Sequence, residues 1–222
     1  MNATPVQAVI FDVDGTLIDS VDLHALTWQD ALREFGRDVS FGDVRFQIGK
    51  GGDQLMPVFL SEQQIADFGD VLTKRRAAIF AESYRTRIKK FPQTRELFQR
   101  LVADGKKIAL ASSATSDELD HYKKVAEIAD LIDEQTSSDD AKKSKPFPDI
   151  FAAALDRLGN PPAEAVIVVG DTPYDLEAAE KIQLRTIAVR CGGFPEDTLH
   201  GAVAIYDDPA DLLAHYAESS LG

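Results

Sequence analysis

The chain has 222 residues, 44% of them hydrophobic and 27% charged, and its 24 Lys and Arg against 37 Asp and Glu give a formal net charge of −13. That length suits one large α/β domain, or such a domain carrying an insertion, with the composition of an ordinary globular protein. The negative field argues against nucleic acid or an anionic membrane as a main partner, and any anionic substrate must be met by local cations. The single cysteine, Cys191, excludes an internal disulfide and fits a reducing compartment. The opening MNATPVQAVIFD lacks a basic segment followed by a long apolar core, so no signal peptide is expected. No apolar run approaches the roughly 20 residues that span a bilayer. The expectation is a soluble, cytoplasmic protein.

Val9, Ile10 and Phe11 form a continuous apolar run, the mark of a strand buried on both faces of a parallel sheet. It stops at Asp12-Val13-Asp14-Gly15-Thr16. Two carboxylates at the end of a buried strand are costly unless a cation or hydrogen-bond donors receive them. In extended geometry Asp12 and Asp14 leave the same face, and Gly15 then permits a turn. An Asx-type strand-end turn accounts for most such pairs in isolation. Residues 21–36, 53–60 and 61–84 then read as helices, with Ser61 a suitable N-cap. Residues 41–52 close in the loop Gly49-Lys50-Gly51-Gly52. No strand is evident between Leu17 and Lys90, so this stretch reads as a helical insertion in an α/β chain. The expected division is a Rossmann-like core of residues 1–17 and 91–222 and a cap of residues 18–90, hinged at 17–20 and 87–92.

From Phe91 strands and helices alternate. Helices are expected over residues 94–104, 116–126, 148–158, 172–182 and 209–217. Strands are expected over 107–111, 165–169, 185–189 and 202–205, with a short one at Leu131-Ile132 and a polar loop over 136–144. This rhythm predicts a doubly wound, mostly parallel sheet.

Ligands in such sheets gather beyond the carboxyl ends of the strands. Three apolar runs end there in polar residues: at Asp12 and Asp14, at Ser112, and at Asp171 with Asp175 four positions on. Asp171 alone is equally well explained as a helix N-cap ahead of Pro173. Carboxylates sharing one site need a compensating charge, and oxygen ligands without a His or Cys cluster suit a hard cation such as Mg²⁺. Lys142, Lys143 and Lys145 are the nearby lysines. Lys145 stands out because Pro146 and a helix follow at once.

Taken in order, Asp12-Val13-Asp14-Gly15-Thr16, Ser112, Lys145-Pro146 and Gly170-Asp171 with Asp175 resemble the motifs of the haloacid dehalogenase superfamily of phosphotransferases. The helical insertion is similar to the small cap of its branch holding phosphoglycolate phosphatases and β-phosphoglucomutases. The resemblance implies a catalytic nucleophile at Asp12 and an acid–base at Asp14, with Ser112 and Lys145 holding phosphoryl oxygens beside the backbone N–H groups of Val13, Asp14 and Ser113. It implies Mg²⁺ held by Asp12, the Asp14 carbonyl and Asp171, with Asp175 supporting. Substrate contacts are expected from Ser113, Lys50, Gly51 and His24. An Asp at position 14, with Asp171, favours phosphate esters over halides. The expected activity is phosphatase action on a small phosphorylated metabolite, through an aspartyl-phosphate.

A sugar-phosphate mutase is the alternative, because His24 and Trp28 are spaced as in those enzymes. Against it, Asp53-Gln54 lacks their phosphate-gripping arginine, and Gly170 stands where they tend to carry Glu. A family member without catalysis is a third reading, opposed by the intact Asp12 and Asp14. Oligomeric state is not readable from the residues.

Overall fold

The computed structural model describes residues 4–222. Strand β1 (Ala8–Phe11) opens a sheet completed by β4 (Lys107–Ala111), β5 (Glu134–Thr136), β6 (Val166–Gly170), β7 (Arg185–Val189) and β8 (Ala204–Tyr206). The spatial order is β5-β4-β1-β6-β7-β8, with every pairing parallel. The winding reverses at β1, the place where such sheets open a crevice. Phe11 pairs in register with both Leu110 and Val169. Asp12, Ser112 and Asp171 therefore leave the sheet within about one residue's rise of each other.

Period-two alternation explains why β1, β4 and β6 read as unbroken apolar runs. Val9, Phe11, Leu110 and Val169 face one layer, containing Phe98 of α5 (Thr94–Ala103) and Tyr122 of α6 (Ser116–Ala126). Ala8, Ile10, Ala109 and Val168 face the other, against α7 (Asp149–Arg157) and α8 (Pro173–Glu180). Alanines fill much of this second interface, at positions 109, 111, 154, 178 and 179, so these helices approach the sheet closely. The last helix, α9 (Pro209–Ala214), joins the first layer.

Between β1 and α5 lie α1 (Val21–Glu34), α2 (Phe41–Arg45), α3 (Gly52–Phe59) and α4 (Glu62–Ile79), which share an apolar cluster of their own built on Trp28, Leu32, Leu55 and Leu72. Ser61 caps α4 through a reciprocal capping box with Gln64. The chain after α4 widens into a π-helical turn over Phe80–Tyr84. No helix among the described residues is long and apolar enough to cross a membrane.

Several expectations need correction. The stretch between Leu17 and Lys90 does contain a strand. β2 (Ile18–Asp19) pairs antiparallel with β3 (Lys89–Lys90) where the chain leaves and rejoins the sheet. Two residues a side, with both lysines exposed, carry no periodicity to read. The strand expected at Leu131-Ile132 lies instead at Glu134–Thr136, on the edge of the sheet. An edge strand needs main-chain pairing on one side only, so polar residues serve. Its Thr136 hydroxyl donates to Leu110 O at 3.2 Å, while Leu131 and Ile132 pack from a loop against the core.

Candidate active site

β1 ends one residue before Asp12. The carboxylates of Asp12 and Asp14 line the same cavity but take different partners. Asp12 is 5% exposed and pairs with Lys145. Thr16 Oγ1 lies 3.2 Å from Asp12 Oδ2 and 3.1 Å from Asp171 Oδ1, its hydroxyl set between the two carboxylates.

The N-cap of α8 is Thr172, not Asp171. Thr172 completes a capping box with Asp175, whose Oδ2 accepts from Thr172 N at 3.0 Å and Thr172 Oγ1 at 2.7 Å. Asp171 is thus released from capping and is fully buried, and its Oδ2 has no hydrogen-bond partner. Main chain crowds that oxygen on two sides. A Cβ at Gly15, whose φ is +84°, would stand 2.3 Å from it, and one at Gly192 would stand 1.7 Å away. Cys191 ties the two glycine loops together, its thiol donating to Gly15 O at 3.1 Å. Burial and nearby Asp171 push that thiol up, so it stays protonated.

Asp12, Asp171 and Asp175 each offer a carboxylate oxygen within 4.8 Å of the others, and all three are buried. Among the described residues one cation faces them: Lys145, 1% exposed, paired with Asp12 and 2.7 Å from Asp175 Oδ1. Burial alone lowers a lysine, but Asp12 and Asp175 outweigh it and hold Lys145 above its ordinary value. Three carboxylates against one ammonium leave the cluster short of positive charge. Burial first, then Asp175 and Asp14, raise Asp12 to about 7 despite Lys145. Burial, Asp12 and Asp175 push Asp171 well up. An unpartnered buried oxygen in an all-oxygen, charge-deficient set is what a small divalent cation satisfies.

Asp14 belongs to a second network. Ser20, at the N-cap position of α1, makes no capping bond there and gives its hydroxyl to Asp14 Oδ1 at 2.6 Å. His24 Nε2 lies 2.9 Å from the same oxygen. Arg76 of α4 donates to His24 Nδ1 and pairs with Glu118 of α6 at 3.2 Å. A guanidinium only donates, so Nδ1 accepts and Nε2 carries the proton given to Asp14. Burial raises Asp14, but His24, Ser20 and Arg76 outweigh it and hold the carboxyl below its ordinary value. Phe80 stacks on the imidazole at 4.4 Å between centroids, and Tyr122 Oη lies 3.3 Å from Nε2.

These networks adjoin a cavity of about 440 Å³ between the sheet's carboxyl edge and the helices of the insertion. Asp12, Asp14 and Ser113 line one side; His24, Lys50 and Gly51 line the other. Lys145, Asp171 and Asp175 lie behind this wall, as does Ser112, whose Oγ accepts from Ala114 N at 3.1 Å and sits 3.5 Å from Asp14 Oδ2. Trp28 packs in the helical cluster and also faces the cavity. Lys50 turns its ammonium to Gln47 Oε1 at 2.6 Å and over the Tyr174 ring. The sequence names Thr16 only within the Asp12–Thr16 motif and gives no sign of Arg76, Glu118 or Tyr122. Arg76 stands 52 positions from His24, and no spacing rule links them.

A family model for haloacid dehalogenase-like hydrolases matches residues 9–189 of the chain. The phosphoglycolate phosphatase of Aquifex aeolicus is 30% identical over 181 residues, covering 81% of this chain and 83% of that protein. The chloroplastic protein SUPPRESSOR OF QUENCHING 1 of Arabidopsis thaliana is 33% identical over 192 residues, 83% of this chain but 18% of that much longer protein. The crystal structure of a hydrolase from Pseudomonas syringae superposes with a TM-score of 0.86 at 29% identity, covering 96% of this chain and 98% of that one.

Proposed function

This chain belongs to the haloacid dehalogenase-like hydrolase family, and from that premise we propose that it is a phosphatase cleaving the phosphate monoester of a small metabolite. The observation that carries this reading is the buried set of Asp12, Asp171 and Asp175 against the ammonium of Lys145, set behind the wall of a cavity that Asp12 and Asp14 line. The likeness to a phosphoglycolate phosphatase supports a small phosphorylated substrate.

Asp12 acts as nucleophile. Its carboxylate oxygen bonds to phosphorus as the ester P–O bond breaks, and Asp14 gives its proton to the departing alkoxide. Asp14 then takes a proton from water, whose oxygen attacks phosphorus. The Asp12–phosphorus bond breaks, the carboxylate is restored and inorganic phosphate leaves. In the arrangement observed, Ser20 and His24 donate to Asp14 and so favour the ionised form, the base of the second step. Ser112 and Lys145, with the N–H groups of Val13, Asp14 and Ser113, hold the phosphoryl oxygens. His24, Lys50 and Gly51 meet the organic part of the substrate.

Mg²⁺ is the cofactor in this reading; Asp12, the Asp14 carbonyl and Asp171 would hold it, with Asp175 in support. When bound, it neutralises the charge shared by the carboxylates and the phosphoryl group. We also propose that residues 18–90 form a cap moving on a core of residues 1–17 and 91–222, with the β2–β3 pair as its neck. The separate apolar cluster of α1–α4 supports that division. The lone cysteine supports a reducing, cytoplasmic setting.

The test is phosphate release from a panel of small phosphate esters with Mg²⁺. Hydrolysis that disappears on chelation and in Asp12→Asn supports the reading. Silence across the panel contradicts it.

A further inference from the structure

Asp171 is framed by two backbone segments, and one of them is gripped from the helical layer. Arg45, the last residue of α2, reaches the loop that follows β7. Its Nη2 donates to Gly192 O at 2.8 Å and its Nη1 to Gly193 O at 3.1 Å. Its Nε donates to Asp22 Oδ1, in the first turn of α1, at 2.7 Å. One planar guanidinium thus joins α2, α1 and the loop, using donors on all three nitrogens.

The Gly192 end of that loop is the part that matters to the site. Gly192 lies so near Asp171 that a Cβ would fall 1.7 Å from Oδ2, the oxygen with no hydrogen-bond partner. Arg45 holds two successive carbonyls of this loop, and the first of those residues, Gly192, is the one packed against Asp171. Gly193, at φ +75°, takes a backbone conformation that glycine adopts without strain.

We propose that Arg45 is a positioning residue for the metal site: through the Gly192 and Gly193 carbonyls it holds this loop against Asp171, so that seating of the helical layer sets the carboxylate's orientation. The proposal rests on the reading that Asp171 holds a divalent cation. Charge alone is not the source of the effect. Asp22 is 60% exposed, and an ion pair of that kind contributes little. The two charge-assisted bonds to carbonyls supply the geometry. Other contacts seat the same edge without Arg45. Tyr174 Oη donates to Phe46 O at 2.5 Å, and Phe46 packs edge-on against Phe194. A clasp that only held the layers together would therefore leave metal affinity as it was.

Calorimetric titration with MgCl₂ of the wild type, Arg45→Ala and Arg45→Lys separates the cases, run beside steady-state hydrolysis of an aryl phosphate. The expected result is a Mg²⁺ Kd about tenfold higher in Arg45→Ala, partly restored in Arg45→Lys, with a matching loss in kcat. Gly192→Ala, which pushes a methyl group into Asp171 but leaves both carbonyls for Arg45, should abolish Mg²⁺ binding. An Arg45→Ala protein that binds Mg²⁺ like the wild type overturns the proposal, even if its KM rises. If Arg45→Ala does not fold, Arg45→Lys decides by the same two outcomes. A folded wild type that binds no Mg²⁺ overturns the reading of the site itself, and the proposal with it.

Discussion

His24 Nε2 donates to Asp14 Oδ1 across 2.9 Å, and this one bond joins the helical insertion to the loop that leaves β1. Because Arg76 occupies the other ring nitrogen, the imidazole has its tautomer chosen before any substrate arrives. The effect on Asp14 is electrostatic: desolvation would raise the carboxyl, and His24 is the largest of the groups that reverse it.

Replacing His24 by Ala removes that opposition and leaves Asp14 to burial. Its pKa then rises, and because Asp14 must carry a proton to assist departure of the alkoxide, the alkaline limb of the kcat/KM profile should move to higher pH. A set of pH–rate profiles for wild type and His24→Ala checks this. An unmoved limb would mean that Asp14 does not govern it.

Metal binding should release protons. Asp12, raised to about 7, is part-protonated at neutral pH in the metal-free protein, and Asp171, raised well above its ordinary value, binds its proton more tightly than a free carboxylate. A divalent cation displaces these protons, so apparent Mg²⁺ affinity should fall as pH drops through about 7. The stability linkage has the matching sign. A carboxyl raised in the fold binds protons more tightly there than in the unfolded chain, so its contribution is lost as pH rises from about 4 through about 7. Mg²⁺ should therefore raise the unfolding temperature more at about pH 8 than at about pH 5.5. Equal shifts at both values would contradict the proton coupling.

Lys145 is the cluster's only cation partner at ion-pair distance among the described residues. Lys145→Ala leaves three buried carboxylates without it, and removing one partner of a buried pair costs about 3–5 kcal/mol. Denaturant unfolding of the metal-free variant should show a loss of that size, with Mg²⁺ recovering part of it. Activity should be lost even where the fold is restored.

Incubation with a hexose 1-phosphate distinguishes hydrolysis from transfer. Free phosphate and hexose are expected. The segment Asp53-Gln54 offers no arginine for a second phosphate, and Asp53 accepts a hydrogen bond from Ser144 N at 3.1 Å. Accumulation of the 6-phosphate would favour the mutase.

The legible parts of this chain were those whose physics is local. β1, β4 and β6 are buried on both faces, so their apolar runs show without neighbours. Their ends, at Asp12, Ser112 and Asp171, stand out because carboxylates and a hydroxyl break those runs. β5 was misplaced because an edge strand is specified by main-chain pairing, and Glu134 and Gln135 carry no apolar signal. Asp171 and Thr172 compete for one N-cap, and only the folded helix shows Thr172 taking it. The grip of Arg45 on Gly192, 147 positions away, depends on tertiary packing that no periodicity encodes.

The central claim is that the Asp12 carboxylate takes the phosphoryl group. The most direct measurement is mass spectrometry of peptides from enzyme quenched in acid during turnover of an aryl phosphate with Mg²⁺. The account predicts one added phosphoryl group on the peptide containing Asp12, lost on treatment with hydroxylamine and absent from Asp12→Asn. Continued turnover by Asp12→Asn, with no phosphorylated peptide in the wild type, would contradict it.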